Sequence, residues 1–174
     1  ARGGTQMDST DILIDAVERI RGLVHDVADG VTDDQLTFRP DPEANTVSWL
    51  LWHLSRGQDA QVADVAGSNE VWVTGAWDER FALPFDPSAN GYGQDADEVA
   101  AVRPPTELLV GYHDEVADRT VAYLAGLGAG DLDRVVDPRW DPPVTLGARL
   151  VSIISDDLQH AGQAAYVRGL AERR

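Results

Sequence analysis

The sequence predicts an all-α protein: a four-helix bundle with one long crossover between the second and third helices. Three observations carry this. Four long stretches place apolar residues at the 3.6-residue period of an amphipathic helix. Each stretch opens at a capping residue or a proline and closes near glycine or at the chain end. No segment reads convincingly as a strand, and no internal repeat or low-complexity run competes with the bundle.

The first helix is expected from about Ser9 to Ala28, with Asp8 or Ser9 as cap and Gly30 as stop. Its core stripe is Ile12, Ala16, Val17, Ile20, Leu23, Val24 and Val27. Val31 to Asn45 is a connector carrying Pro40 and Pro42. Thr46 caps the second helix, which runs to about Ala66 before Gly67-Ser68-Asn69. The crossover from Gly67 to about Pro105 holds Trp72, Trp77, Phe81, Phe85 and Tyr92 among Gly, Pro and Asp, with a short helix near Asp95 to Ala101. Connections this long are uncommon in compact domains unless functional, and so many aromatics must cover a core or a cleft. After Pro104-Pro105, Thr106 is expected to cap the third helix, with core positions Leu108, Leu109, Tyr112, Val116 and Tyr123, ending near Gly126. A loop from Gly128 to Val144 contains Trp140. Thr145 then caps the last helix, which runs to about Glu172.

Composition narrows the functional classes. The chain has 174 residues, 43% hydrophobic and 25% charged, which suits one soluble domain over residues 7–174. Residues 1–6 read as a tail outside the fold. There is no cysteine, hence no disulfide, protein thiol nucleophile or thiolate ligand, and all 14 basic residues are arginine, which excludes a Schiff-base lysine. No apolar run is long enough for a bilayer and no leader pattern opens the chain, so a cytoplasmic location is expected. A net charge of −16 with no basic cluster argues against nucleic acid and against acidic membrane surfaces. A homodimer is open, because helix bundles often associate, but no apolar stripe is clear enough to assign it.

Four histidines remain to be placed. His53 lies with Trp49 and Ala60 in one stripe of the second helix, with Gly57 leaving space beside the imidazole. The plainer reading is a core histidine satisfied by one hydrogen bond. On the last helix, Leu146, Leu150, Ile153, Ile154, Asp157, His160, Ala161 and Ala164 crowd one side, so ionisable groups interrupt an apolar stripe. Buried charges are costly unless paired or bound to metal; a private Asp-His hydrogen bond would also satisfy them. Asp156 sits four residues before His160, one helical turn away on the same face, whereas Asp157 points more centrally. Periodicity does not choose between them. If the two helices pack, two imidazoles and one carboxylate form a three-donor zinc set with a fourth position open. His25 reads as solvated surface and His113 as an edge residue of the third helix. Asp64 falls on the inner stripe of the second helix, as a cap or a buried hydrogen-bonding group.

Thr46-Val47-Ser48-Trp49-Leu50-Leu51-Trp52-His53-Leu54 and Asp156-x-x-x-His160-Ala161-Gly162-Gln163, in this order and on these helices, resemble the DinB-like superfamily of metal-carrying four-helix bundles. Trp77 to Phe81 and Trp140 through Leu150 also look like that family. The resemblance implies His53, Asp156 and His160 as ligands of a divalent metal, zinc by the chemistry of the set. Many members carry histidine where this chain has Asp156; the thiol-dependent branch includes members with an acid there. Within the superfamily the chain is most similar to the mycothiol-dependent enzymes and, in ending at Arg174 just beyond the last helix, resembles the stand-alone mycothiol S-transferases more than the two-domain maleylpyruvate isomerases. That resemblance implies mycothiol as thiol co-substrate, held as a zinc-bound thiolate and conjugated to an electrophilic small molecule in a detoxification role. Arg56, Trp77, Arg80, Phe81, Trp140 and Gln163 are expected to line the thiol site. A hydrolase using zinc-bound water and a non-enzymatic metal-binding stress protein are the rival classes.

Overall fold

The computed structural model describes residues 7–128 and 130–174; the expected tail, residues 1–6, lies outside the described residues. Four long helices build the bundle: α1 (Ser9–Ala28), α3 (Val47–Ala66), α7 (Thr106–Ala125) and α8 (Leu146–Ala171). Four short helices fill the connections: α2 (Asp33–Leu36), α4 (Val71–Thr74), α5 (Trp77–Phe81) and α6 (Ala96–Ala101). The first connector is therefore not bare loop. Thr32 accepts from the Gln35 amide while Gln35 returns the bond to Thr32, a reciprocal cap that closes a single turn. Each of α1 and α3 packs against both α7 and α8, so α1 and α3 occupy opposite corners of the bundle.

Local chemistry sets the helix ends. Asp8 accepts from the amides of Thr10 and Asp11 at the start of α1. Thr46 and Thr145 cap α3 and α8 through the amides of Trp49 and Ala148. Gly67 ends α3 at a φ of 63°, a left-handed position that glycine tolerates without strain. Thr106 is not a cap: Pro105 holds that place in an extended conformation without any side-chain bond, and Thr106 is already helical.

The stripe of α1 is centred on Leu13, Val17, Ile20, Val24 and Val27. Ile12 and Leu23, expected inside, face solvent, because each is about 100° around the helix from a buried neighbour. α3 is different: fourteen of its twenty residues are buried, including Arg56, Gln58 and Asp59. It is the central helix of the fold, covered on its remaining side by the crossover. Asp64, expected on its inner stripe, is exposed; the buried acid of α3 is Asp59.

The expectation of no strand is corrected by a small hairpin. β1 (Val135–Asp137) pairs antiparallel with β2 (Val144–Thr145), in register Val135 with Thr145 and Asp137 with Val144. Asp137 anchors its turn. Its carboxylate receives the Arg139 amide and two guanidinium nitrogens, which hold its pKa well below the usual carboxylate range. Segments this short carry too little alternation to be read as strands from sequence.

Candidate metal centre

His53 faces α8 from the middle of α3, and Asp156 and His160 face it from one turn apart on α8. One ligand atom of each residue lies within 4.8 Å of the others, and all three side chains are partly exposed. The two imidazole rings meet edge to face with centroids 4.8 Å apart. His160 Nε2 is 3.6 Å from Asp156 Oδ1, and the carboxylate is more solvent-accessible than the imidazole it faces. The packing of α3 on α8 therefore brings the Asp156 carboxylate beside the two imidazoles. Asp157, one residue on, points into the core with 2% exposure. Burial, reinforced by the charge of Asp156, pushes the Asp157 carboxyl far above its ordinary range.

The space that Gly57 leaves on α3 is occupied by this site. A Cβ at position 57 would stand 3.9 Å from Asp156 Oδ2. The sequence pointed to room beside His53; the structure puts the Asp156 carboxylate there.

His53 is held in one tautomer by the crossover. Its Nδ1 lies 2.5 Å from the Asn90 carbonyl oxygen. A carbonyl only accepts, so Nδ1 carries the hydrogen and Nε2 keeps a free lone pair. The ring stacks on Trp49 at 4.5 Å and 18°, and Trp49 Nε1 donates to Gln94 Oε1 at 2.7 Å. Burial holds His53 below the usual imidazole pKa against the opposing effect of the Asn90 bond, so the ring is neutral near pH 7. His160 Nδ1 sits 3.2 Å from Gln163 Oε1, one turn along α8.

These contacts describe a donor set suited to zinc or a similar divalent ion: neutral imidazole nitrogen and carboxylate oxygen, with the outer face of one histidine tied to a backbone carbonyl. At bond lengths of about 2.0–2.2 Å, donors around a tetrahedral ion lie roughly 3.4 Å apart. The Asp156–His160 pair, at 3.6 Å, is already close to that separation, and no pair of ligand atoms in the set is more than 4.8 Å apart.

The six residues expected around a thiol are dispersed. Gln163 is at the centre, against His160. Arg56 is 1% exposed, and its guanidinium is committed to Glu70, the Ala89 carbonyl and Tyr112. Trp77 is buried, donates to Glu115 and packs on Tyr112 and Phe81, with Arg80 stacked on its outer face at 3.6 Å. Phe81 is buried against Trp72 and Tyr112. Trp140 is 65% exposed in the hairpin loop.

Sequence reasoning does not find Asn90 and Gly91, the crossover residues against His53, or Gln94, which holds Trp49. The available signal was Gly91-Tyr92-Gly93, two glycines bracketing an aromatic inside an overlong loop. Both glycines have positive φ, and a Cβ on Gly91 would stand 2.5 Å from His53 Nδ1.

A family model described as mycothiol-S-transferase matches residues 12–172. Among solved structures, a conserved protein from Enterococcus faecalis is 30% identical, aligns over 97% of this chain and 100% of its own, and superposes with a TM-score of 0.90. No curated protein matches.

Proposed function

Because the chain belongs to the mycothiol-S-transferase family, we propose that it joins the thiol of mycothiol to electrophilic small molecules at a divalent-metal centre held by His53, Asp156 and His160. The observation that carries this is the convergence of two imidazole nitrogens and one carboxylate at a partly exposed site, in a transferase chain with no cysteine of its own. A cation bound there, zinc on the chemistry of the donors, supplies the positive field that favours thiolate over thiol near neutral pH.

The protein's own residues do the rest by positioning. The Asn90 carbonyl keeps the hydrogen of His53 on Nδ1 and leaves Nε2 as the donor. Trp49 fixes the plane of that ring, and Gln94 fixes Trp49. His53, Asp156 and His160 would hold the ion with three donors, and the ion so held would supply the positive charge that stabilises a thiolate next to it. Holding thiol and electrophile side by side turns an encounter between two solutes into a local reaction. Sulfur forms the new bond to the electrophilic carbon as the thiol proton passes to solvent; the bond broken at that carbon is either the one to a leaving group, which departs with its bonding pair, or a π or strained-ring bond, whose electron pair then takes a proton from solvent. Gln163, beside His160, is the side chain best placed among the six expected to meet the cofactor. The acidic surface repels anionic substrates and is compatible with a neutral sugar-linked thiol.

Cobalt substitution tests the reading. Titrating the cobalt protein with mycothiol should raise a sulfur-to-metal charge-transfer band in the near ultraviolet, and Asp156→Ala should remove it. Turnover of a simple electrophile should require both metal and mycothiol. A cobalt spectrum indifferent to the thiol, with no thiol-dependent turnover, would replace this reading with that of a hydrolase or a non-enzymatic metal protein.

A further inference from the structure

Arg56 has no contact with the three candidate ligands, yet it is among the most buried large side chains of the protein. A fully buried guanidinium is costly unless each part of it is engaged. Here one edge meets acids: Nη1 pairs with Glu70 at 2.5 Å and lies 3.8 Å from Asp59. Its face covers the Trp72 ring at 4.8 Å. Nη1 also donates to the Tyr112 hydroxyl at 3.4 Å, and Nε donates the other way, to the carbonyl oxygen of Ala89 at 3.1 Å.

Ala89 immediately precedes Asn90, whose carbonyl holds His53 Nδ1. The next residue, Gly91, lies so close to the same ring that a Cβ would collide with Nδ1 and Cγ, at 2.5 and 3.1 Å, and its φ is +98°. Two consecutive carbonyls of the crossover are therefore held by side chains one turn apart on α3, Arg56 below and His53 above. Trp72 Nε1 adds a third hold on this stretch by donating to the Pro87 carbonyl at 3.0 Å. A segment containing glycine and proline does not keep a carbonyl in place without such ties, because ordering each unfixed residue costs backbone entropy.

We propose that Arg56 is a positioning residue of the metal centre. It clamps the Ala89 carbonyl so that the Asn90 carbonyl and Gly91 fix the tautomer and orientation of His53. The inference rests on the metal reading for its consequence, but the ring's tautomer is a property of the metal-free protein and can be read separately. It also gives the buried arginine a role other than the expected contact with the thiol. The charge of Arg56 answers Glu70 and Asp59; its directional Nε–H answers the loop. Lysine keeps the first and cannot reproduce the second, since the planar fork is what serves three directions at once.

The test compares the parent, Arg56→Lys, Glu70→Gln and Gly91→Ala. Glu70 is partly exposed, so Glu70→Gln loosens the guanidinium without emptying the core. Ring ¹⁵N shifts of His53 in metal-free protein at pH 8 should show a single Nδ1–H tautomer in the parent and a mixture in the variants. Zinc affinity should fall about 10- to 100-fold for Arg56→Lys and Gly91→Ala, the size of effect seen when a ligand's outer partner is lost. Should Arg56→Lys fail to fold, Glu70→Gln carries the decision, with a smaller shift of tautomer in the same direction. Folded Arg56→Lys or Glu70→Gln protein with the parent's ring shifts and zinc affinity would overturn the proposal. A parent that binds no zinc but whose His53 tautomer still responds to these variants would overturn the metal reading and leave the positioning role in place.

Discussion

His113 offers a sharp test of how this core responds to acid. The side chain is 1% exposed on α7, and its Nδ1 lies 3.0 Å from Ser55 Oγ. The Ser55 hydroxyl already donates to the Leu51 carbonyl at 2.8 Å. Nδ1 must therefore be the donor in the other bond, and Nε2 is left as a buried lone pair without a partner. Protonating that nitrogen would place an unpaired charge in the core, and burial accordingly lowers the His113 pKa from 6.5 to about 4. In the unfolded chain the imidazole titrates near 6.5, so on acidification the unfolded state takes up the proton first. Stability present above pH 6.5 is lost as the pH falls towards 4. For these two values the loss is about 2 kcal/mol by pH 5 and approaches roughly 3 kcal/mol by pH 4. The assay is urea unfolding of metal-free protein from pH 7.5 to 5, parent against His113→Phe. The variant keeps the ring volume and leaves the Ser55 donation to Leu51 intact. Phenylalanine cannot titrate, so the stability difference between the two proteins should shift by about 2 kcal/mol in favour of the variant across that range. Parallel curves, or a His113 ring that titrates near 6.5 by NMR in the folded protein, would refute the reasoning.

Asp156→Ala should abolish the binding of about one metal per chain measured by elemental analysis, whereas Asp157→Asn should retain the metal and lose no stability in urea, because it removes a charge that burial penalises. Tyr112→Phe removes the hydroxyl that donates to Asp59 Oδ2 at 2.8 Å and should cost about 1.5–3 kcal/mol by chemical unfolding, the range for a hydrogen bond to a charged group; a change under ~0.5 kcal/mol would mean that Asp59 is satisfied by the Val71 and Trp72 amides alone. Gly75→Ala should be destabilised by about 1–3 kcal/mol, with a shift in Trp77 fluorescence, since a Cβ there would meet the indole at 2.5 Å; an unchanged emission spectrum and midpoint would count against the tight packing of that turn.

The bundle was legible because its signals are local. Thr46, Gly67, Pro105 and Thr145 bound helices through the chemistry of one or two turns, and the apolar periods of α1, α7 and α8 point each helix inward. Periodicity is blunt at stripe edges, which is why Ile12 and Leu23 were placed inside, and it fails on a helix buried almost all round. On α3 it points to Asp64, which is exposed, misses Asp59, and does not reveal that Arg56, expected to line the thiol site, is buried in an ion pair with Asp59. The short helices α2, α4 and α5 and the hairpin are held by caps, ion pairs and coverage of the core, and segments of two to five residues have no period to read. The four-residue spacing of Asp156 and His160 is legible as a shared helix face, but that pattern does not choose between Asp156 and Asp157; the family resemblance implies Asp156, and the packing of α3 on α8 sets its carboxylate beside His53. What the sequence by itself determined is the set of helices and the residue types able to bind metal, because capping and amphipathicity act within a few residues along the chain. Only the tertiary structure decided which carboxylate meets His53, where Arg56 spends its bonds, and that a backbone carbonyl 37 residues away fixes the histidine's tautomer. A carbonyl is common to every residue, so nothing in the identity of Asn90 marks the one that the packed crossover brings to His53.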